Sequence, residues 1–534
     1  MMDKKFIEEI NKRRTFAIIS HPDAGKTTLT EKFLLYGGAI RLAGSVKSRK
    51  AQKHAVSDWM EIEKQRGISV TSSVMQFNYE GACINILDTP GHQDFSEDTY
   101  RTLTAADSAV MVIDCAKGVE PQTKKLFRVC KDRNIPIFTF INKLDRAGKD
   151  PFELMEEIEK VLGIQSYPMN WPIGTDGDFK GVYNREKKQI ELFQDGDHGQ
   201  NIAKIVRKDL DDEGLAEIIG DDYYQRLKDE VELLDMAGDE FDHGKVQNGA
   251  LTPMFFGSAM TNFGVEPFLE SFLKLTYKPE ARKSNQGMIP PEEPNFSGFI
   301  FKIQANMNPA HRDRLAFIRI CSGKFEKGMS VYNSRTGKKI RLAQPQQFLA
   351  QDREIVETAY PGDIIGLHDP GLFKISDTLS QADPSLKYEK IPVFPPEHFS
   401  KIIPKNSMKR KQFLKGIQQL AEEGAIQVFK RPNIGIEEYI VGVVGVLQFQ
   451  VLEYRLKNEY GVDIIMENMP HRYIRWIEME GYDPDGFSAT MDSMLVEDHE
   501  GNPAIILQNE WSIGKVEDRN TGVVLKDIYK KDLE

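Results

Sequence analysis

The chain has 534 residues, of which 40% are hydrophobic and 28% charged, enough for three or four domains at roughly 150 residues each. Its 70 Lys and Arg against 81 Asp and Glu leave a formal charge of −11, which excludes a uniformly basic nucleic-acid coat and leaves room for a local basic patch. No run of roughly eighteen apolar residues occurs, so a helical membrane span is excluded.

The opening residues, Met1 to Ile10, read as a mixed-charge helix and not as a signal peptide. From there to residue 281, apolar runs at 15–19, 83–87, 109–113, 137–141 and 253–256 alternate with helical stretches. That alternation predicts a mostly parallel sheet with helices on both faces. An insertion is expected at about 165–250, ending in acidic helical sequence around Asp209 to Glu213 that reads as a solvated face. Residues 282–295, with Pro290, Pro291 and Pro294, read as a linker. Short β-rich runs punctuated by Ser322-Gly323, Lys327-Gly328 and Pro361-Gly362-Asp363 predict an antiparallel β-barrel over 296–390. Residues 395–534 alternate strand and helix, which suits an α/β sandwich of ferredoxin-like type with a C-terminal tail. Cys83, Cys115, Cys130 and Cys321 form no Cys-x-x-Cys pair and read as buried small hydrophobes in a reducing cytosol.

After the first apolar run comes Ser20-His21-Pro22-Asp23-Ala24-Gly25-Lys26-Thr27-Thr28, opening a helix. This strand–loop–helix setting suits a P-loop, whose backbone N–H groups and helix N-terminus face phosphates. Lys26 supplies a charge to the β- and γ-phosphates and Thr27 a hydroxyl to Mg²⁺. The consensus opens with Gly where this chain has Ser20. Asp88-Thr89-Pro90-Gly91-His92 follows the next strand, where Asp88 can hold Mg²⁺ through water and the Gly91 amide can meet the γ-phosphate. Asn142-Lys143-Leu144-Asp145 ends a later strand. Asp145 can accept the N1–H and N2 amino hydrogens of guanine, Asn142 bonds the base edge and the Lys143 stem covers the ring. Ser258-Ala259 brings a backbone amide near guanine O6. Together these segments predict a site for GTP or GDP.

The same segments, with Arg66-Gly67-Ile68-Ser69-Val70, resemble the translational GTPases that include elongation factors Tu and G. The likeness narrows to the bacterial class II release factors through segments such as Ser57-Asp58-Trp59-Met60-Glu61-Ile62 and Glu422-Glu423-Gly424-Ala425-Ile426-Gln427. The resemblance implies hydrolysis of GTP to GDP and phosphate, with Ser69 joining Thr27 as a Mg²⁺ ligand and His92 orienting the attacking water. Ile68 and Pro22 fall where the family flanks that histidine with apolar groups. It further implies a cytoplasmic monomer that works on the ribosome, through its RNA and proteins, and removes class I release factors after peptide release, with no DNA partner. Translocation or ribosome rescue in the manner of elongation factor G, and a GTP-gated scaffold without hydrolysis, are the alternatives. Arg41, Lys47, Arg49, Lys50 and Lys53 can meet phosphates or simply be solvated. So can the acid-free basic stretch Lys401, Lys405, Lys409, Arg410, Lys411 and Lys415, for which ribosomal RNA is a reasonable partner. Asp483-Pro484-Asp485-Gly486 lacks the spacing of a calcium loop and reads as a turn.

Overall fold

The computed structural model describes residues 4–40, 63, 69–174, 178–194, 202–212, 214–237, 240–305, 314–349, 352–432 and 438–527. Ile68 and the cations Arg41, Lys47, Arg49, Lys50 and Lys53 lie outside these residues.

The first domain begins with α1 (Lys4–Lys12), β1 (Arg13–Ser20), α2 (Lys26–Tyr36), β2 (Ser73–Tyr79), β3 (Ala82–Asp88) and α3 (Ser96–Thr104). It continues with β4 (Ser108–Asp114), α4 (Pro121–Asp132), β5 (Ile137–Asn142), α5 (Pro151–Leu162) and β6 (Gln165–Pro168). Its last two elements, reached after the insertion, are a strand Leu251–Phe256 and a helix Val265–Leu275. The sheet order is β2, β3, β1, β4, β5, Leu251–Phe256, β6, with only β2 antiparallel to its neighbour.

Both faces of this sheet are covered, which is why its central strands read as continuous apolar runs. Phe16 and Ile18 of β1 face the cluster holding Phe33 of α2 and Phe268 and Phe272 of the last helix. The Phe33 and Phe268 rings stack at 5.7 Å, and Phe16 meets Phe272 edge-on at 4.6 Å. Ala17 and Ile19 face the opposite cluster with Leu126 and Cys130 of α4 and Leu154 and Ile158 of α5. The carboxyl ends of β1, β3, β4, β5 and Leu251–Phe256 therefore open at one rim, where open parallel sheets bind ligands.

The insertion departs from its expected bounds at its start. Gln165–Pro168 pairs in parallel with Leu251–Phe256 and so belongs to the main sheet. Beyond it, β7 (Asn170–Ile173), β8 (Gly181–Asn184), β9 (Gln189–Gln194) and β10 (Lys204–Asp209) form a separate antiparallel sheet, followed by α6 (Leu215–Ile219), α7 (Asp221–Ala237) and α8 (His243–Gln247). The expected linker is likewise structured in part: Arg282–Ser284 and Gly287–Ile289 form a hairpin. Its turn is anchored where the Asn285 N–H donates to the Lys387 carbonyl at 2.9 Å. Polar, Gly-containing sequence suits a tight turn as well as a spacer, and here Gly287 adopts φ +101°.

The second domain is an antiparallel β-barrel led by the long pair Ser297–Ala305 and Arg314–Ser322. In the third, four strands stand in the order Ile464–Met469, His398–Pro404, Tyr439–Val443, Gln427–Lys430, with helices Arg410–Glu422 and Leu447–Tyr460 packed on one face. This is the ferredoxin-like β-α-β-β-α-β arrangement. The segment after residue 478, expected as a tail, instead extends that sheet: Ser493–Asp498 pairs with Gln427–Lys430, and Pro503–Leu507 and Val524–Lys526 both pair with Tyr473–Glu478. Its strands are too short to announce themselves and gain order from partners distant in sequence.

Buried ion pairs and hydrogen bonds join the domains. Asp107 accepts hydrogen bonds from Arg282 at 2.8 Å and from Arg319 of the barrel at 2.6 Å. The Arg101 guanidinium of α3 donates to the carbonyls of Glu423 at 3.0 Å and Gly424 at 2.7 Å in the third domain.

Candidate nucleotide site

At the rim β1 runs into the loop His21 to Gly25 and then α2. Ser20 still pairs with Val112 and is buried in extended backbone, so the position the consensus gives to Gly has no left-handed angle here to exclude a Ser. The turn is made further on, at Asp23 (φ +64°) and Gly25 (φ +96°). No side chain caps the N-terminus of α2. Its first backbone N–H groups, which have no partner inside the helix, therefore form a donor cradle with the helix dipole behind it. Lys26 Nζ reaches into the cleft and pairs with Asp88 Oδ1, both side chains almost fully buried. Thr27, Thr28 and Ser69 line the same cleft, as do His21, Pro22 and Asp23. The Thr27 and Ser69 hydroxyls, with the Asp88 carboxylate reached through Lys26, are hard oxygen donors suited to Mg²⁺. Among the described residues no cluster of three or more His, Cys, Asp or Glu offers an alternative metal site.

Gly91 and His92 form the next wall. Gly91 packs on the loop, a Cβ built on it lying 3.5 Å from Pro22 Cα. His92 lines the cleft and also caps the short turn Gln93–Phe95, its Nδ1 accepting the Asp94 N–H at 3.2 Å. Asp88, Thr89 and Pro90 lie behind this wall. Thr89 Oγ1 donates to the Ile18 carbonyl at 2.7 Å, and the Pro90 carbonyl accepts from Thr99 Oγ1 at 3.2 Å.

At the far end Asn142 ties two loops together, Nδ2 donating to the Ala24 carbonyl at 2.8 Å and Oδ1 accepting the Ala259 N–H at 2.9 Å. One Nδ2 hydrogen is left over for a base edge. Lys143 (φ +72°) donates to the Asp23 carbonyl and to Asp114 Oδ2 at 2.6 Å, so its stem bridges back to the phosphate loop. Ser258 Oγ holds Asp145 Oδ1 at 2.6 Å and fixes that carboxylate toward the cleft, while Ala24 and Leu144 are buried beneath it.

Family models match each of the three domains. The elongation factor Tu GTP binding domain matches residues 11–278, elongation factor G domain 2 matches 295–382, and the C-terminal domain of the class II release factor RF3 matches 388–517. A protein of Symbiobacterium thermophilum named peptide chain release factor 3 is 60% identical over 519 residues, covering 97% of this chain and 98% of its own. Proteins of the same name from Ligilactobacillus salivarius and Synechococcus elongatus are 56% and 52% identical, covering 96% and 99% of this chain and 97% and 95% of their own. The chain belongs to the peptide chain release factor 3 family. As a member of it, the chain is a ribosome-associated GTPase of translation termination. A crystal structure from Thermus thermophilus shares the fold, with a TM-score of 0.68 at 21% identity over 88% of this chain and 71% of that one.

Several residues of the site escaped the motifs. Asp114 ends β4 just as Asp88 ends β3, a signal that was available. Burial alone would raise its carboxyl, but the Lys143 ammonium and the Ala116 N–H outweigh that and hold it below the usual carboxylate range. Arg146 and Met260 flank the guanine end of the cleft one residue beyond their motifs. Glu120 reaches His21 Nε2 at 3.3 Å from a loop that carries no signature.

Proposed function

We propose that the P-loop, Lys26 and the N-terminus of α2 bind the phosphates of GTP, that Asp145 and Asn142 read guanine, and that His92 orients the water that attacks the γ-phosphate. One arrangement carries this reading: a cationic, donor-rich loop, a histidine and a preset carboxylate converge on one cleft from the carboxyl ends of four strands. Thr27, Ser69 and, through water, Asp88 would hold Mg²⁺, which when bound neutralises charge shared between the β- and γ-phosphates. The protein's own part is positioning. Backbone donors and Lys26 fix the triphosphate in line, Lys26 exchanging Asp88 for phosphate, while Gly91 and His92 place the water on the opposite side.

Loss of the γ-phosphate would release the segments bearing Ser69 and Gly91, and domain contacts would shift with them. That change, spent on the ribosome, is proposed to drive class I release factors off after peptide release, in a cytoplasmic, monomeric protein with no role for DNA. Lys405, Lys409, Arg410, Lys411 and Lys415 stand on the third domain and suit ribosomal RNA phosphates. Lys401 is paired with Glu438 at 2.6 Å.

The test is the departure rate of a labelled class I factor from post-termination ribosomes. Acceleration by this protein with GTP is expected; an unchanged rate, or movement of messenger RNA instead, would refute the reading. His92→Ala is expected to slow ribosome-stimulated phosphate release about a hundredfold while leaving the nucleotide Kd nearly unchanged. Equal losses of both would make His92 a structural cap only.

A further inference from the structure

Asp94, two residues beyond His92, is only 7% exposed because the third domain covers it. Its Oδ2 accepts the backbone N–H of Leu447 at 2.7 Å, at the first residue of the helix Leu447–Tyr460. Its Oδ1 lies 3.3 Å from His92 Nδ1, the nitrogen that also accepts the Asp94 N–H. The carboxylate thus touches the candidate catalytic ring on one side and another domain on the other.

The fit on the third-domain side is close. A Cβ on Gly445 would fall 2.2 Å from Asp94 Cγ and 2.4 Å from its Cα, and Gly445 has no left-handed φ that would otherwise call for glycine. The neighbouring donors of that turn are already used, the Val444 and Gly445 N–H groups donating to Gln448 Oε1 at 2.9 and 3.0 Å. Asp94 takes the Leu447 N–H, a helix-terminal donor with no partner inside its own helix. Further along the first domain, Gly424 of the third domain, a helix-end glycine at φ +71°, also packs on the Arg101 guanidinium.

We propose that Asp94 is a positioning residue through which seating of the third domain sets the orientation of His92, so that GTP hydrolysis is coupled to that docking. The proposal rests on the reading of His92 given above. With the third domain seated, Leu447 and Gly445 hold Asp94 in one place, and its backbone N–H, donated to Nδ1, holds the imidazole with its other edge toward the cleft. With that domain withdrawn, Asp94 loses its partner and the ring its fixed bearing. Misplacement of a reacting geometry by about 1 Å is enough to slow chemistry about a hundredfold.

Four variants of the full chain, checked for folding by thermal melting, decide the matter through single-turnover GTP hydrolysis on ribosomes and the Kd for a fluorescent GDP. Gly445→Ala, which substitutes no residue of the GTPase domain but pushes Asp94 out of its seat, is expected to lower the hydrolysis rate about tenfold or more, with KM and Kd within about twofold. Asp94→Ala should behave likewise. Asp94→Asn keeps an acceptor for the Leu447 N–H and should recover the rate to within about threefold of the parent. Hydrolysis at the parent rate in Gly445→Ala, or an Asp94→Asn as slow as Asp94→Ala, overturns the proposal. Should Gly445→Ala not fold, the two Asp94 variants decide alone. His92→Ala separates the layers: if it hydrolyses normally, the reading of His92 fails, whereas a slow His92→Ala beside a fast Gly445→Ala defeats only the coupling.

Discussion

Gly25 turns the chain into its nucleotide-facing helix at φ +96°, and a methyl group there would sit 2.3 Å from Asn142 Nδ2. A left-handed angle alone disfavours a non-glycine residue by about 1–2 kcal/mol, and Asn142 is held by Ala24 and Ala259, so it has little room to yield. Gly25→Ala is therefore expected to weaken GDP binding about tenfold or more, measured by titration calorimetry. Wild-type affinity would mean that the loop reshapes freely. The glycine was legible in the sequence because the P-loop pattern names it. The polar groups that hold the site rigid were not: Ser258 on Asp145 and Asp114 on Lys143 are contacts between segments 113 and 29 residues apart, and no local pattern announces them.

At the scale of the element, α2 is enclosed on nearly every side, with Thr30, Glu31, Lys32, Phe33 and Leu34 all buried. Burial lowers the Lys32 ammonium from 10.5 to about 8, with Glu31 only partly opposing it. The sign follows from linkage. The folded state disfavours the charged form, so its stability is lowest and flat below pH 8 and rises as pH climbs toward 10.5, the unfolded value. Lys32→Met should raise stability at pH 7 by about 1 kcal/mol after solvent screening is allowed for, or about 2–4 °C in Tm. Calorimetry should find the gain shrinking by about pH 10; a variant no more stable at pH 7 would mean the charge is fully compensated. Long apolar runs such as Phe16 to Ile19 foretold the central strands. The hairpin Arg282–Ser284 with Gly287–Ile289 and the strands after residue 478 were not foreseen, because segments this short are held by neighbours rather than by their own pattern.

For the whole molecule, reversing two charges with Lys409→Glu and Arg410→Glu should weaken ribosome binding and flatten its dependence on log salt by about two units of slope or more. Identical affinities across a salt series would remove RNA as the partner of that patch. Domain order and class were readable from the change in periodicity along the chain. How the domains grip one another was not, because Asp94 meets Leu447 across 353 residues.

The junction of the three domains is crossed by ions as well as by buried hydrocarbon. Lys302 of the barrel donates to the Ser72 carbonyl at 2.5 Å and lies 3.6 Å from Asp98, Arg319 of the barrel pairs with Asp107 at 2.6 Å, and Arg314 of the barrel pairs with Glu422 of the third domain. An oily seam of the same extent would resist parting with the full hydrophobic penalty, but ions that separate are repaid by water. Those ionic contacts can come apart and reclose at modest expense, and dissolved salt favours their parted form because it screens the freed charges. Amide exchange at Ser72 and Leu447 is expected to quicken as ionic strength rises; exchange that slowed instead would describe a greasy closure.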